Sequence, residues 1–468
     1  MWKPALLFSV ISAMSPPLTL GAGKLLQVLD GKQLNAEWLS SVLLAAYRNG
    51  QQPLPSTDVA SLEVVMGTER LWPQSHSAQL RLDLVGKQHP AFLYLKKVIA
   101  RDMPAKSAQA LRRDLISNRV EARFYEEFSV ELRSRGVQLL QAPLVQERLS
   151  CLDLDIQTNE DEEQLLRQGG LVLLLECVDE NYTQTSPLTF EQATATLSML
   201  ADFHAAAWED HTLLTKASDR LHSTGGYWEL DRRGRPELEN LKPNWDHYLK
   251  TFHSEAPDLL SKPSIRRLAE RLESVAVWVS SQLKPAPTDS FATLMHGDAK
   301  AMNMFLPATG SSRKPILIDF QWTGVGFGMS DVAMHLTHSV HVSALRDGGE
   351  EQLVRLYYDS LVSTLRAPAK AVDASLKLSK PFSFEQAWHL YRLAFVDYAR
   401  MVVCTFFKDA SPEAFQARAQ KENVGFVYRD VEASLHYLEM VDRHLEYVET
   451  SAENCERSTP RKDACVIE

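Results

Sequence analysis

Cysteine is scarce in this chain, with five among 468 residues. That is too few, and too scattered, to frame a disulfide-stapled domain. Cys151 and Cys177 lie in apolar, strand-like runs and read as buried thiols, while Cys455 and Cys465 fall in a polar tail where pairing is open. Long hydrophobic runs are also missing. No stretch approaches the roughly 20 apolar residues that span a bilayer, so no membrane-spanning helix is expected. Positive charge is outnumbered, and a formal net charge of −10 lacks the basic footprint that a nucleic-acid partner requires. There is no internal repeat and no long low-complexity linker, which argues against a solenoid.

What is present has the composition of an ordinary globular protein, in a chain too long for one compact core and suited to two lobes with extensions. Residues 34–48 carry apolar positions at helical spacing. Residues 58–99 alternate in strand fashion, with strands expected at 77–84 and 91–99. A helix over roughly 105–134 follows, then strand candidates at 143–152 and 171–178. Between those two, the acidic run Asn159-Glu-Asp-Glu-Glu163 reads as a solvated hairpin loop. From residue 187 the chain reads as helices. Thr189-Phe-Glu-Gln192 and Ser383-Phe-Glu-Gln386 each open one with a capping box, and Ala387, Leu390, Tyr391, Ala394, Phe395 and Tyr398 fall on one face of the later helix. Short strands at 291–295 and 315–320 interrupt these helices. The expected fold is therefore α+β and two-lobed. Residues 1–33 form an extension, 34–178 a small β-rich first lobe, 179–450 a larger helical lobe, and 451–468 a polar tail. Within the extension, Lys3, the apolar segment 5–14 and Gly21-Ala-Gly23 allow a cleaved signal peptide; a packed extension is the alternative. The last four residues, Cys465-Val-Ile-Glu468, end in Glu, which is not a prenylation box.

The most telling residues are Leu294-Met-His-Gly-Asp-Ala-Lys-Ala-Met-Asn-Met-Phe305 and Ile316-Leu-Ile-Asp-Phe-Gln321. Asp298 and Asn303 have the spacing of the Asp and Asn in the kinase loop H-R-D-x-x-x-x-N, and Asp319 ends an apolar run in the place of the Asp that opens D-F-G. Phosphoryl transfer needs positioning and charge neutralisation more than covalent help. Asp298 is suited to orient an acceptor hydroxyl and take its proton. Asn303 and Asp319 are hard oxygen ligands suited to Mg2+. The phosphates then call for a lysine at a strand end and a glutamate on the following helix. Phe92-Leu-Tyr-Leu-Lys96 fits the lysine strand, although Lys96 and Lys97 point to opposite faces and only one of them serves. We expect Lys96, with Glu121 as its partner and Glu126 and Glu127 as competitors. The strand at 171–178 is expected to lead into a hinge whose backbone near Glu176 to Val178 bonds the adenine edge. Glycine is thin where a phosphate loop is expected, since residues 63–80 contain only Gly67. Such loops rely on glycine to bring amides close to phosphate.

Ordered this way, the residues resemble the choline kinase-like and ecdysteroid kinase-like branch of the aminoglycoside phosphotransferase superfamily, over about residues 34–445. The signposts are Leu-Asn-Ala-Glu-Trp-Leu at 34–39, Glu121 before Phe124-Tyr125, Leu200-Ala-Asp-Phe-His-Ala-Ala-Ala-Trp208, His296-Gly-Asp298 with Asn303, Ile318-Asp-Phe-Gln321 and Ser330-Asp-Val-Ala333. The resemblance implies a protein-kinase-like fold and ATP- and Mg2+-dependent phosphorylation of a hydroxyl on a small molecule. It makes Asp298 the base, Asn303 and Asp319 the metal ligands, and His296 and Asp331 braces of the loop. Lys300 either reaches the transferred phosphoryl group or is a solvated or structural lysine. An ATP-dependent enzyme is expected in the cytoplasm, or in the secretory pathway if the N-terminus is a signal peptide. Two rivals are a pseudokinase that binds without chemistry and a kinase acting on a protein-borne hydroxyl or amine.

Other features suggest plainer roles. His335, His338 and His341 lack a companion Cys or acidic cluster and read as structural rather than as a metal site. Gly324-Val-Gly-Phe-Gly328 reads as a tight turn after Asp319. Trp322 reads as a wall of the acceptor site or as core, and His204 as a buried, hydrogen-bonded histidine.

Overall fold

The computed structural model describes residues 26–71, 75–104, 107–154, 159–367, 381–419 and 430–458. The signal-like segment 1–23 and Cys465 lie outside them. The chain folds as two compact units. One comprises Met1–Thr183 as far as it is described, with Asp219–His222 and Phe305–Thr323; the other comprises Gln184–Ser218, Ser223–Met304 and Gly324–Glu468.

The first unit is built on an antiparallel sheet. Its strands are β1 (Val59–Val64), β2 (Arg70–Leu71), β3 (His76–Leu84), β4 (Ala91–Ile99), β5 (Leu144–Arg148) and β6 (Gly170–Glu176), in the order β1-β3-β4-β6-β5, with β2 paired to β3. Strand alternation decides the packing. Leu80 and Leu82 of β3, Leu93 and Leu95 of β4 and Leu174 of β6 face a core closed by Leu39 and Leu43 of helix α1 (Ala36–Arg48). Asn35 starts α1 by accepting the Trp38 N–H at 2.9 Å. Helix α2 (Ala108–Arg123) continues through a wide π turn at Phe124–Phe128 into Ser129–Ser134. The single helix expected over 105–134 is thus interrupted. A smaller sheet of β7 (Tyr182–Thr183), β9 (Met304–Pro307) and β10 (Ile316–Leu317) runs in the order β10-β9-β7.

The acidic run at 159–163 is a helix, α3 (Asn159–Leu166), rather than a hairpin loop. Acidic residues favour the positive end of a helix, and Glu162 and Glu163 are held by Arg112 and Arg167, each at 3.0 Å. The 143–152 strand is shorter than expected, because Ser150–Asp153 turns as a 3-10 helix that carries Cys151, which is half-buried rather than buried. Cys177, just past β6, is also only half-buried.

In the second unit the main helices are α4 (Phe190–Ala205), α5 (Leu268–Gln282), α6 (Gly328–Ser339), α7 (Gly349–Arg366), α8 (Phe384–Met401) and α9 (Val431–Ser458). Both capping boxes form, at Thr189/Gln192 and Ser383/Gln386. All twelve residues of α6 are buried, so it is the central helix of this unit, and α8 packs against α5, α6 and α9. The last helix runs past Ser451 to Ser458. A two-stranded ribbon pairs β8 (Thr293–Met295) with β11 (Gly324–Gly326). The glycines at 324–328 therefore form a strand and a helix start, not a tight turn. Gly326 and Gly328 are required by crowding: a Cβ on Gly326 would lie 2.3 Å from Met295 Sδ, and one on Gly328 would lie 2.4 Å from the Tyr357 hydroxyl. Among the described residues no helix is long and apolar enough to cross a membrane.

Candidate active site

The first unit contributes an ion triplet. Along β4, Leu93, Leu95 and Lys97 are buried on one face while Phe92, Tyr94 and Lys96 alternate onto the other. Lys97 Nζ reaches the Gln27 carbonyl. Lys96 Nζ lies 2.6 Å from Glu121 Oε2 on α2 and 3.6 Å from Asp319 Oδ1. Burial by itself would lower the Lys96 pKa; the Glu121 and Asp319 carboxylates overcome it and hold the pKa well above the usual lysine value. Glu127 is engaged elsewhere, with Arg220 at 2.6 Å, and Glu126 is exposed. Asp319 adopts φ +67°, a left-handed conformation that a non-glycine residue takes only when its surroundings impose it. Phe320 beside it stacks on Phe124, with centroids 3.7 Å apart.

At the end of β6 the Glu176 N–H donates to the Gln141 carbonyl at 2.7 Å. That main-chain donor is therefore engaged within the fold, and only the positions beyond it, Cys177 and Val178, lie past the strand. The Gly67 turn (φ +82°) follows β1. Its Gly67 N–H donates to Glu69 Oε2 at 2.7 Å, and the Thr68 N–H donates to the Val65 carbonyl at 3.2 Å.

In the second unit, β8 delivers His296-Gly297-Asp298 into a turn that ends at Asn303. Gly297 has φ +79°. Asp331, fully buried on the first turn of α6, accepts the main-chain N–H groups of His296 at 2.5 Å and Gly297 at 2.8 Å. His204 Nε2 lies 3.1 Å from the same carboxylate, and its Nδ1 lies 2.8 Å from the Tyr357 hydroxyl. Burial would raise the Asp331 pKa; His204, His296 and the Gly297 N–H together lower it below the usual carboxylate value. His296 Nδ1 accepts the Asp298 N–H at 3.2 Å. The Asp298 carboxylate is gripped at Oδ2 by Lys300 Nζ at 2.7 Å and Asn303 Nδ2 at 3.0 Å, and Asn303 Nδ2 also donates to the Asp298 carbonyl at 2.9 Å. With its NH2 so employed, Asn303 presents Oδ1 as its remaining group. Asn303 Oδ1 in this unit and the Asp319 carboxylate in the first unit are each, taken singly, hard oxygen donors. Among the described residues no group of three or more His, Cys, Asp or Glu is arranged for a metal.

The three spaced histidines have separate tasks. His335 lies 2.8 Å from both the Ala299 carbonyl and Thr196 Oγ1, His338 sits against the rings of Tyr398 and Phe406, and His341 Nδ1 accepts the Ser343 N–H. Trp322 stacks on His222, 5.4 Å apart. Sequence reasoning missed Tyr357, Ser339, whose Oγ accepts the Ala301 N–H at 2.7 Å, and Gln184, which donates to the Met302 carbonyl. No local signal marks them, because each is brought to the loop from distant sequence.

Residues 80–368 match the model of the ecdysteroid kinase-like family, well over half of the chain. The chain belongs to that family. Its fold is accordingly mixed α+β, with a small antiparallel sheet and a mostly helical remainder, and membership of a kinase-like family supports phosphoryl transfer at the coarse level. Solved structures similar to this family member include a choline kinase from Streptococcus pneumoniae (12% identity, 83% of this chain and 94% of that one, TM-score 0.33). An aminoglycoside phosphotransferase from Alicyclobacillus acidocaldarius is another (13% identity, 86% and 98%, TM-score 0.38). A third is an amicoumacin kinase in complex with AMP-PNP and Ca2+ (11% identity, 83% and 89%, TM-score 0.38). No curated protein matches the chain.

Proposed function

We propose that the chain is an ATP- and Mg2+-dependent kinase that transfers the γ-phosphoryl group to a hydroxyl of a small molecule. The observation that carries this reading is the ion triplet, in which a buried lysine is held between the helix carboxylate Glu121 and Asp319. A purely structural core has little use for three charged groups with one of them in a left-handed conformation. Lys96, oriented by Glu121, binds the α- and β-phosphates. Main-chain groups of Cys177 and Val178, past the engaged Glu176 N–H, take the adenine edge. Asp298 orients the acceptor hydroxyl and accepts its proton as the acceptor oxygen bonds to the γ-phosphorus and the β–γ bridging oxygen leaves with ADP. Lys300 and Asn303 fix the carboxylate for that task, and Lys300 adds positive charge beside the transferred group. Asn303 and Asp319 would hold the metal, which would supply charge neutralisation of the phosphates. Asp331 and His296 brace the loop. The acceptor is a small-molecule alcohol with no nucleic acid involved, and the enzyme works in the cytoplasm, where ATP is.

A second reading, a binding module without turnover, is favoured by one observation: the Gly67 amide donates to Glu69, so the phosphate turn already holds a carboxylate. Thermal shift separates the two readings. ATP with magnesium is expected to stabilise the wild-type protein, ATP with chelator is not, and Asp319→Ala is expected to remove the difference. No shift at millimolar ATP favours a binding module for other ligands. Magnesium-dependent binding is then followed by a screen of alcohols for phosphorylation, in which binding without product with any acceptor supports the pseudokinase.

A further inference from the structure

The third residue of the Asp-Phe-Gln segment has a partner that a glycine there would forgo. Gln321 Nε2 donates to Asn118 Oδ1 at 2.9 Å. Asn118 is fully buried on α2, and its own Nδ2 donates to the Asp114 carbonyl at 2.7 Å. The amide is thereby fixed with its oxygen toward Gln321. Asn118 lies three residues before Glu121, on the same helix face. Further along that face, Phe124 stacks on Phe320, and Tyr125 meets Phe320 edge-on at 5.7 Å. The main-chain carbonyl of Gln321 is held in turn, 3.2 Å from His222 Nε2. Asp319, Phe320 and Gln321 therefore engage the Lys96–Glu121 pair and its helix by an ion pair, a ring stack and a carboxamide bond.

We propose that Gln321 and Asn118 are positioning residues: their carboxamide bond seats α2 so that Glu121 stays in register with Lys96. This deepens the kinase reading and rests on it for its functional consequence. Of the three contacts, the carboxamide bond is the directional one; a ring stack tolerates sliding and an ion pair tolerates rotation, so register along the helix falls to it. Burial raises the Glu121 pKa; Lys96 chiefly, and the Gln321 carboxamide least, oppose that rise.

The test uses the full chain with Gln321→Met, which keeps side-chain length and removes the hydrogen bond, and Asn118→Ala. Two readouts are taken: the Kd for Mg2+–ATP by calorimetry, and amide hydrogen exchange across 118–123 in the nucleotide-free protein. Each variant is expected to raise the Kd about fivefold, the loss of one buried hydrogen bond, with the double variant no worse than the singles. In a Glu121→Gln background, Gln321→Met is expected to change the Kd less than twofold. Exchange across 118–123 is expected to quicken about fivefold in both variants. A role confined to general stability would lower the unfolding midpoint yet add fully to Glu121→Gln, and that additivity overturns the proposal. Unchanged exchange in Gln321→Met overturns it as well. If Asn118→Ala does not fold, the Gln321→Met results decide alone, since that side chain is only half-buried. If the wild type shows no magnesium-dependent binding, the kinase reading fails, and the exchange data still judge the seating of α2.

Discussion

Removing Lys96 should cost more stability than removing the charge of its partner, and the geometry says why. Glu121 is 2% exposed and has Lys96 as its cationic partner at 2.6 Å, whereas Lys96 is 14% exposed and keeps Asp319 at 3.6 Å if Glu121 is neutralised. Lys96→Met strands a buried carboxylate. Breaking a buried pair in this way costs about 3–5 kcal/mol. Glu121→Gln leaves Lys96 with a second carboxylate and an amide in place of the first, so about 1–2 kcal/mol is expected. Lys96→Met with Glu121→Leu removes both charges and should recover most of the loss, because an apolar replacement of a buried pair is often neutral. Urea unfolding of all three variants at pH 7.5 measures these costs, with Mg2+–ATP binding followed in parallel. The double variant should be nearly as stable as the wild type and yet bind no nucleotide. A double variant whose cost sums the singles would refute the reasoning, since additivity would mean that Lys96 and Glu121 do not depend on each other in the folded state; equal single costs would refute the part given to Asp319 as the second carboxylate.

Asp298→Asn should cost turnover at least about 100-fold, the scale of a lost general base, with Mg2+–ATP affinity unchanged in calorimetry. Acid sensitivity should come from buried neutral histidines. Burial holds the His335 pKa down to about 4 and, with the Lys300 charge adding, the His338 pKa down to about 3. Above pH 6.5 neither state protonates them; below it the unfolded chain takes up protons that the folded chain refuses, so stability falls with falling pH by about 1.4 kcal/mol per pH unit for each histidine. Urea titrations between pH 7.5 and 5 should show stability falling with pH, and His335→Gln should lessen the slope by about 1.4 kcal/mol per pH unit. Thr189→Ala should destabilise by about 1 kcal/mol through loss of the α4 cap, measured by thermal unfolding; no loss would mean that the helix start is held by its packing alone.

The elements most legible in sequence were those set by local rules. Two capping boxes, the alternation of β3 and β4 and the spacing from Asp298 to Asn303 are consequences of short-range geometry, so a reader of the chain can find them. The acidic run at 159–163 was misread for a related reason. High charge looks like solvated loop until Arg112, nearly fifty residues earlier, supplies a partner across the fold and the helix dipole accepts the carboxylates. The glycines at 324–328 were recognisable as special, but only Met295 and Tyr357 reveal that crowding, and not a turn, requires Gly326 and Gly328.

The sequence alone determined the family, the two-part α+β order of elements and the identity of the groups suited to phosphoryl chemistry, because residue type and spacing carry that information along the chain. Which of two adjacent lysines meets Glu121 was decided by the pleat of β4 and the seating of α2. That Asp331, His204 and Tyr357 hold the loop before Asp298, and that Gln321 reaches Asn118, was decided by tertiary structure as well. These contacts join residues as much as 203 positions apart, and a hydrogen bond depends on distance and angle in space, which sequence separation does not record.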